Sequence, residues 1–418
     1  MTNGWLQLAE HETLDIPEFP LGAGEELWNR YARTGAGLDI EFPSPRTGGA
    51  WRITSRGVVG AFPLRDGGGV RVVPKVPIAN LLRMIEVAQD VSVRELAGQV
   101  SVASVDDLFD RLIAALATGV RRRLRRGLLK AYVSRDDRLP YLRGRLDVRR
   151  HVRSGAHTVF DVSFQEPSVD HHDNQVLLAT LARVVRSPLL RSETRASVRK
   201  ALRALSTDVS LVPVAAQDAV RGPYHRLRRD YLRLHRLCRF LLGHSGPMVQ
   251  EGTYVTTPFL VDMPSLFETC VARGLEEALP RGLRVARHVR ERLDPAGRVV
   301  FDVDLVLQEA WSGRPLIVLD TKYKDHDAPS AADVQQVVAY AAALGCEEAA
   351  LVYPTEHTFA PARAGEIVVR RLGVPLDGDV GVAFRELAAT LVMYAGAEHV
   401  DIRAEDGTRR YGVGHAST

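Results

Sequence analysis

Four charged residues in one short stretch have the types and spacing to act on a phosphate: Asp302 and Asp304, then Asp320 and Lys322. Val299 to Leu307 and Leu316 to Lys322 are strand-like runs, joined by Glu309–Arg314 with its Gly313, the pattern of a hairpin. Side chains alternate faces along a strand, so Asp302 and Asp304 share one face, and so do Asp320 and Lys322. With the loop centred between Ala310 and Gly313, Asp304 falls opposite Leu319 or Asp320. In the second register Asp302 faces Lys322, and two carboxylates converge beside an ammonium. Phosphodiester hydrolysis calls for a hard divalent cation in oxygen ligands, which polarises the phosphate and activates water. It also gains from a cation beside the developing charge. A D-x-K triplet is common, and an ion pair on a solvated hairpin edge would look the same. The apolar run Leu316-Ile317-Val318-Leu319 directly before Asp320 favours chemistry, because it brings charge to the rim of a core.

Other candidates carry less. His171-His172-Asp173 offers ligand types, but adjacent side chains diverge and no further ligand set is visible. Asp170 reads better as the N-cap of a helix carrying Val176 and Leu181, and Cys270 as a small core residue. No GxxxxGK[ST] occurs, so the chain has no P-loop with which to be an NTPase itself.

The elements that must position the hairpin are legible on both sides. Ser265-Leu266-Phe267-Glu268 has the capping-box signature, and Phe267, Val271, Leu275 and Ala278 recur near the helical period before Pro280. A helix is expected from about Ala332 to Leu344 and a strand from Ala349 to Tyr353. The order helix, strand, strand, helix, strand makes a mixed α/β core. The first hundred residues read as short strands (Trp51 to Ser55, Val58 to Pro63, Val70 to Val73), closed by a helix from about Ala79 to Ala88. From about Val105 to Phe240 the period is helical, broken at Pro140 and Tyr141–Arg145 by an extended excursion. Gly246, Pro247 and the Gly252–Pro258 segment mark a boundary. The expectation is an α/β (α+β) multidomain chain: a β-rich module over 1–100, a helical region over 101–250 and the α/β part over 251–418.

The chain has 418 residues, 45% hydrophobic and 25% charged, which excludes a disordered or fibrous protein. Three cysteines without a CxxC pair argue against a disulfide framework or a cysteine-built zinc site. The start lacks an apolar signal segment, and the longest apolar stretches reach about half of the roughly 20 residues of a membrane span. A cytoplasmic protein with no membrane partner is expected. The net charge of +4 hides an asymmetry: Arg121 to Arg153 holds 13 Lys/Arg and 3 Asp/Glu, a local +10. A second cluster, Arg226, Arg228, Arg229, Arg233, Arg236 and Arg239, is opposed only by Asp230. Such concentration is the footprint of a polyanion partner, with Arg121, Arg122, Arg125, Arg126, Arg226 and Arg229 as candidate contacts to double-stranded DNA. Arginine-rich helix faces that are merely solvated would show the same pattern.

Several ordered motifs together resemble one family. The run Val318-Leu-Asp-Thr-Lys-Tyr-Lys324 looks like the signature strand of the McrC-type PD-(D/E)xK endonucleases, the nuclease subunits of modification-dependent restriction systems. Asp304-Leu-Val-Leu, the helix Asp333-Val-Gln-Gln336-Val-Val-Ala-Tyr340, the strand Leu351-Val-Tyr-Pro354 and Leu266-Phe-Glu268 are similar to that family's motifs. Upstream, Val73-Pro-Lys-Val76 with Asn80-Leu-Leu, Arg143-Gly-Arg-Leu-Asp147-Val and Glu166-Pro-Ser168-Val-Asp170 with Asn174 extend the likeness over about residues 70 to 355. The resemblance implies that Asp304 and Asp320 ligate Mg²⁺ (or Mn²⁺), with Thr321 contributing its carbonyl. It further implies that Lys322 orients the water, that Gln336 supports the site and that Glu268 joins as an outer or second-site ligand. Asp302 competes with Asp304 for the first position, and Glu268 can also be read as the capping-box partner of Ser265. The implied activity is DNA cleavage, with the β-rich module meeting a separate McrB-like AAA+ GTPase (or ATPase) and the basic helical region guiding DNA. A non-cleaving DNA-binding adaptor of a motor and a stand-alone repair nuclease are the alternatives.

Overall fold

Short alternating apolar runs become strands here and three-to-four periodic runs become helices, as side-chain geometry requires. A computed structural model describes residues 4–396 except 92, 94–101, 156–157, 225–227, 246–257, 295, 324–328, 356–359 and 377–378. Contacts divide the chain into two units, one of Met1–Leu82 with Gln89–Asp262, the other of Arg83–Ala88 with Met263–Thr418. The β-rich module and the helical stretch, separated in the sequence at residue 100, thus share the first unit. Among the described residues no helix is long and apolar enough to cross a membrane.

The first unit opens with β1 (Trp5–Ala9), β2 (Thr13–Ile16), α1 (Leu21–Leu27), β3 (Leu38–Glu41), β4 (Trp51–Ser55), β5 (Val58–Pro63) and β6 (Gly69–Val73), and the helix α2 (Ile78–Gln89) that follows is divided between the two units, Arg83–Ala88 falling in the second. Leu27, Tyr31, Trp51, Ile53, Phe62 and Val70 fill the first unit's core. Next come α3 (Val105–Arg126), β7 (Ala131–Leu139), β8 (Arg145–Leu146), α4 (Val148–Ser154) and β9 (Phe160–Ser168), then α5 (His172–Val184), α6 (Ser192–Leu205), α7 (Arg229–His244) and β10 (Phe259–Asp262). Ser104 caps α3 by accepting the Asp107 N–H at 3.1 Å. Helix α3 packs on α6 and α7, and α5 packs on α6 and α7.

Two sheets in this unit depart from the sequence expectation. Strand β10 pairs antiparallel with β5, Phe259 against Ala61, and completes a sheet of order β1-β6-β5-β10. Gly60 makes that pairing possible: a Cβ there would lie 1.9 Å from the Phe259 carbonyl oxygen. The N-terminal module is therefore not separable at residue 100, since β5 is shared with β10 and covered by α3. The supposed extended excursion in a helical region is a whole antiparallel sheet of order β7-β9-β8, its nine-residue strands in register from Ala131↔Ser168 to Leu139↔Phe160. Most of β7 is exposed, so its sequence lacks the apolar alternation that announces a strand.

The second unit contains α8 (Met263–Ala278), β11 (Leu283–Arg292), β12 (Val300–Glu309), β13 (Pro315–Thr321), α9 (Ala331–Leu344), β14 (Glu348–Tyr353), β15 (Ala362–Ala364), β16 (Ile367–Gly373) and α10 (Val380–Tyr394). One six-stranded sheet runs β11-β12-β13-β14-β16-β15. It is antiparallel through β13, parallel from β13 to β16, and antiparallel again at β15. The parallel step from β13 to β14 requires a crossover, which α9 supplies. Val337 and Ala341 of α9 pack with Val306, Val318, Ala349 and Leu351 of the sheet. Helices α8 and α10 pack together, with Gly274 against the Phe384 ring. The unbroken apolar run of β13 is the mark of a central strand covered on both faces. Strand β11 was not expected. Helix α8 starts at Met263, so Ser265 lies inside its first turn and Ser265-x-x-Glu268 does not frame a helix start. Likewise His171, not Asp170, precedes α5, and Asp170 instead accepts from Gln175 and Ser210.

Candidate active site

Pairing of β12 with β13 runs Leu307↔Ile317, Val306↔Val318, Leu305↔Leu319. One step further Asp304 stands level with Asp320, and directly opposed residues of an antiparallel pair project to the same side. Asp304 Oδ2 accepts the Thr321 backbone N–H at 3.2 Å, which ties the end of β13 to β12. Asp302 is 52% exposed and lies 3.9 Å from both the His288 Nδ1 and the Arg290 Nε. The structure thus turns Asp304 toward β13 and Asp302 toward β11. Among the described residues Lys322 pairs with Asp320 and Asp333, and Asp302 is not its partner.

Asp320 is 0% exposed. Lys322 Nζ lies 2.7 Å from its Oδ2, while its Oδ1 is buried and accepts no hydrogen bond. Burial pushes this carboxyl up to about 6; Lys322 opposes the rise, and the charges of Asp304 and Asp333 add to it. Burial pulls the Lys322 ammonium down, but Asp320 and its carboxylate neighbours outweigh burial and leave it above its ordinary value.

Helix α9 fixes the ammonium from the other side. Ser330 and Asp333 form a reciprocal cap, and the Asp333 carboxylate sits 3.8 Å from Lys322 Nζ. One turn on, Gln336 Oε1 accepts from Lys322 Nζ at 3.1 Å, and its Nε2 donates to the Tyr340 hydroxyl at 2.9 Å. Tyr340 is held edge-on against Phe301 of β12, centroids 5.0 Å apart. Glu268 of α8 is mostly buried, and burial, then the Asp304 charge, raises its carboxyl above the usual range. Its Oε1 lies 3.5 Å from His288 Nε2.

The fold thus gathers Asp304, Asp320, Thr321, Lys322 and Gln336, with Glu268 near enough to feel Asp304. Sequence reasoning gave no role to Asp333 or His288. The Ser330-x-x-Asp333 spacing before a helix was a readable signal for the first, whereas nothing in the local sequence singles out the second. The residues suit a hard cation: two carboxylates converge, one with a buried oxygen lacking a partner, and a chain carbonyl lies between Asp320 and Lys322. Among the described residues no group of three or more His, Cys, Asp or Glu could hold a metal ion by itself.

The arginine candidates fall in the first unit. Arg122, Arg125 and Arg126 are exposed at the end of α3 and form no ion pair among the described residues. Arg121 is partly covered and donates to Ser197 Oγ at 3.4 Å. Arg229 is exposed at the start of α7, and Arg226 lies outside the described residues. A cavity of about 140 Å³ is lined by Arg122, Arg123, Arg126, Arg233 and Asp230, with Arg123 held by Asp230 at 3.1 Å. Part of the local +10 is answered beyond residue 153, where Glu166 pairs with Arg135 at 2.6 Å and Asp161 with Arg138 at 2.8 Å. The histidine pair is occupied: His171 Nε2 donates to the Leu129 carbonyl and His172 Nε2 to that of Asp218.

The chain is similar in fold to a chain of the refined half-complex from the tetradecameric assembly of Thermococcus gammatolerans McrB AAA+ hexamers with bound McrC. The TM-score is 0.57 at 17% identity, covering 93% of this chain and 99% of that one. A chain of the Thermococcus gammatolerans McrBC complex aligns with TM-score 0.44 and 20% identity over 65% of this chain and 86% of that one. No curated protein matches. Residues 53–354, from β4 through the candidate site to the end of β14, match the model of the family described as McrBC 5-methylcytosine restriction system component. With most of its length inside that match, the chain belongs to the family of McrBC 5-methylcytosine restriction system components.

Proposed function

We propose that this chain is the DNA-cleaving subunit of a McrBC-type restriction system, a PD-(D/E)xK phosphodiester hydrolase working with a separate McrB-like AAA+ GTPase. The second unit would cut, the arginines of α3 and α7 would guide double-stranded DNA, and the β-rich module would meet the motor. One observation carries the reading: Asp320 is fully buried with one oxygen unsatisfied, level with Asp304 and beside Lys322. Burying that carboxylate is costly unless something outside the chain satisfies it. Asp304, Asp320 and the Thr321 carbonyl would hold Mg²⁺ (Mn²⁺ in its place), which when bound polarises the scissile phosphate and eases ionisation of the attacking water.

The chain's own residues divide the remaining work. Lys322, gripped by Asp320 and Gln336, places a fixed positive charge where the phosphate gains negative charge. Gln336 and Tyr340 keep that ammonium from swinging into solvent, and Asp320, with Asp333 and Asp304 adding to it, keeps it protonated. Family membership supports the restriction system, and the similar solved assembly, in which McrC is bound to McrB AAA+ hexamers, supports the motor partner.

The test is plasmid cleavage by the full chain with its cognate motor, nucleotide and Mg²⁺, followed together with nucleotide hydrolysis. Cutting by the complete mixture is expected, with Lys322→Ala still stimulating hydrolysis but leaving the plasmid intact. Stimulation without cutting by the wild type would make the chain an adaptor. Full cutting without motor or nucleotide would make it a stand-alone nuclease.

A further inference from the structure

His288 has a backbone that asks for a reason. Its φ is +49°, in the left-handed region that residues with a Cβ avoid. The other described non-glycine residues of this kind, His11 and Asp90, lie in turns, whereas His288 lies within β11. The β11–β12 ladder breaks at the same place: Arg287 pairs with Leu305 and Val289 with Val303, but His288 and Asp304 between them do not pair. Strain of this sort persists where surrounding structure enforces it, and it gathers at functional sites.

The distortion delivers the ring to the carboxylates that flank Asp304. Nε2 lies 3.5 Å from Glu268 Oε1, which is buried and accepts no hydrogen bond, and Nδ1 lies 3.9 Å from Asp302 Oδ1. Glu268 and Asp304 repel each other, so without a tether the Glu268 carboxylate would turn away from the site. The imidazole is 60% exposed, hence not placed there to fill a core.

From this geometry we infer that His288 is a positioning residue that holds Glu268 toward Asp304, so that its carboxylate supports the divalent cation. The inference rests on the nuclease reading, and its test separates the two. Mn²⁺ binding to the full chain is measured by electron paramagnetic resonance, and cleavage is measured in the complete mixture, for wild type, His288→Gly and His288→Asn. Glycine suits the left-handed backbone, so His288→Gly should melt at or above the wild-type temperature. It should nevertheless bind Mn²⁺ more weakly and lose about 10- to 100-fold in kcat, the scale of lost outer-shell support, with KM for DNA little changed. Asparagine, which tolerates the same backbone and retains polar atoms, should fall between the two. If His288→Gly binds and cuts like wild type, the ring positions nothing and the inference fails. A wild-type chain that binds Mn²⁺ without cutting sinks the nuclease reading, while the Mn²⁺ comparison still decides the role of His288. A wild-type chain that binds no Mn²⁺ overturns both.

Discussion

Asp161 and Asp320 are aspartates buried to 1% and 0% exposure, each against a cation, yet their surroundings differ in sign. Around Asp161 of β9 stand Arg138 at 2.8 Å, Arg150 at 3.7 Å and His151 at 3.9 Å, from β7 and α4. Around Asp320 stand one lysine and two further carboxylates, Asp304 and Asp333. The first carboxylate is over-neutralised by its own chain and works as a clasp between three elements. The second is under-neutralised and has an oxygen left over. Burial alone does not distinguish a clasp from a site; local charge balance does.

The largest break in that comparison should come from Lys322→Ala, which removes the one cation beside Asp320. Cleavage in the complete mixture should fall by about 10²–10³-fold. Wild-type cutting by this variant would show that the assigned site is not the reactive one. Gln336→Ala leaves the ammonium in place but frees it, and a smaller loss of about 10-fold in kcat is expected. Equal losses for the two variants would mean that Gln336 does more than steady Lys322.

Stability sharpens the contrast. The Asp320 carboxyl titrates near 6 in the folded chain against 3.8 as its ordinary value, so the folded state binds that proton more tightly. The resulting stabilisation is full below the ordinary value and disappears as pH rises through about 6. Asn cannot ionise. Asp320→Asn should therefore be more stable than wild type at about pH 8, by at most about 3 kcal/mol, and the gap should close by about pH 4. Denaturant titrations in EDTA would show it, and a less stable variant at about pH 8 would contradict the under-neutralised reading. Asp161→Asn should do the reverse, losing about 1–2 kcal/mol and speeding amide exchange across residues 131–168 without altering Mn²⁺ binding. The smallest effect concerns the arginines outside both clusters. Replacing Arg122, Arg125 and Arg126 by Gln should flatten the salt dependence of DNA binding by about 0.9 in log–log slope per lost phosphate contact. An unchanged slope would leave them as a solvated helix end.

Part of the second unit could be read from its sequence because its central strands β13 and β14 are buried along most of their length and α9 is capped. Leu316 to Leu319 announced β13, and the hairpin loop restricted Asp304 to two partners, of which the structure has Asp320. Strand β11, Leu-Arg-Val-Ala-Arg-His-Val-Arg-Glu-Arg, escaped notice because an edge strand rich in arginine lacks an apolar stripe. His288 escaped with it, since a backbone distortion leaves no mark on residue type. The sheet of β7, β8 and β9 was missed for a similar reason: its order rests on cross-strand ion pairs more than on buried surface. The start of α8 was misplaced because Ser265 and Glu268 have capping spacing by coincidence, two residues inside the helix.

The pairing of β10 with β5 also sets a schedule for synthesis. Val59 must wait for Val261, some two hundred residues later, before its sheet is closed. Such long-range pairing is slow to form, because a large loop must close before any contact rewards it. A nascent chain therefore carries an open edge on β5 through nearly two hundred residues of further synthesis, and that edge is covered only as the last residues before α8 are added. The polypeptide that would become the cutting half is made after the half that would steer it.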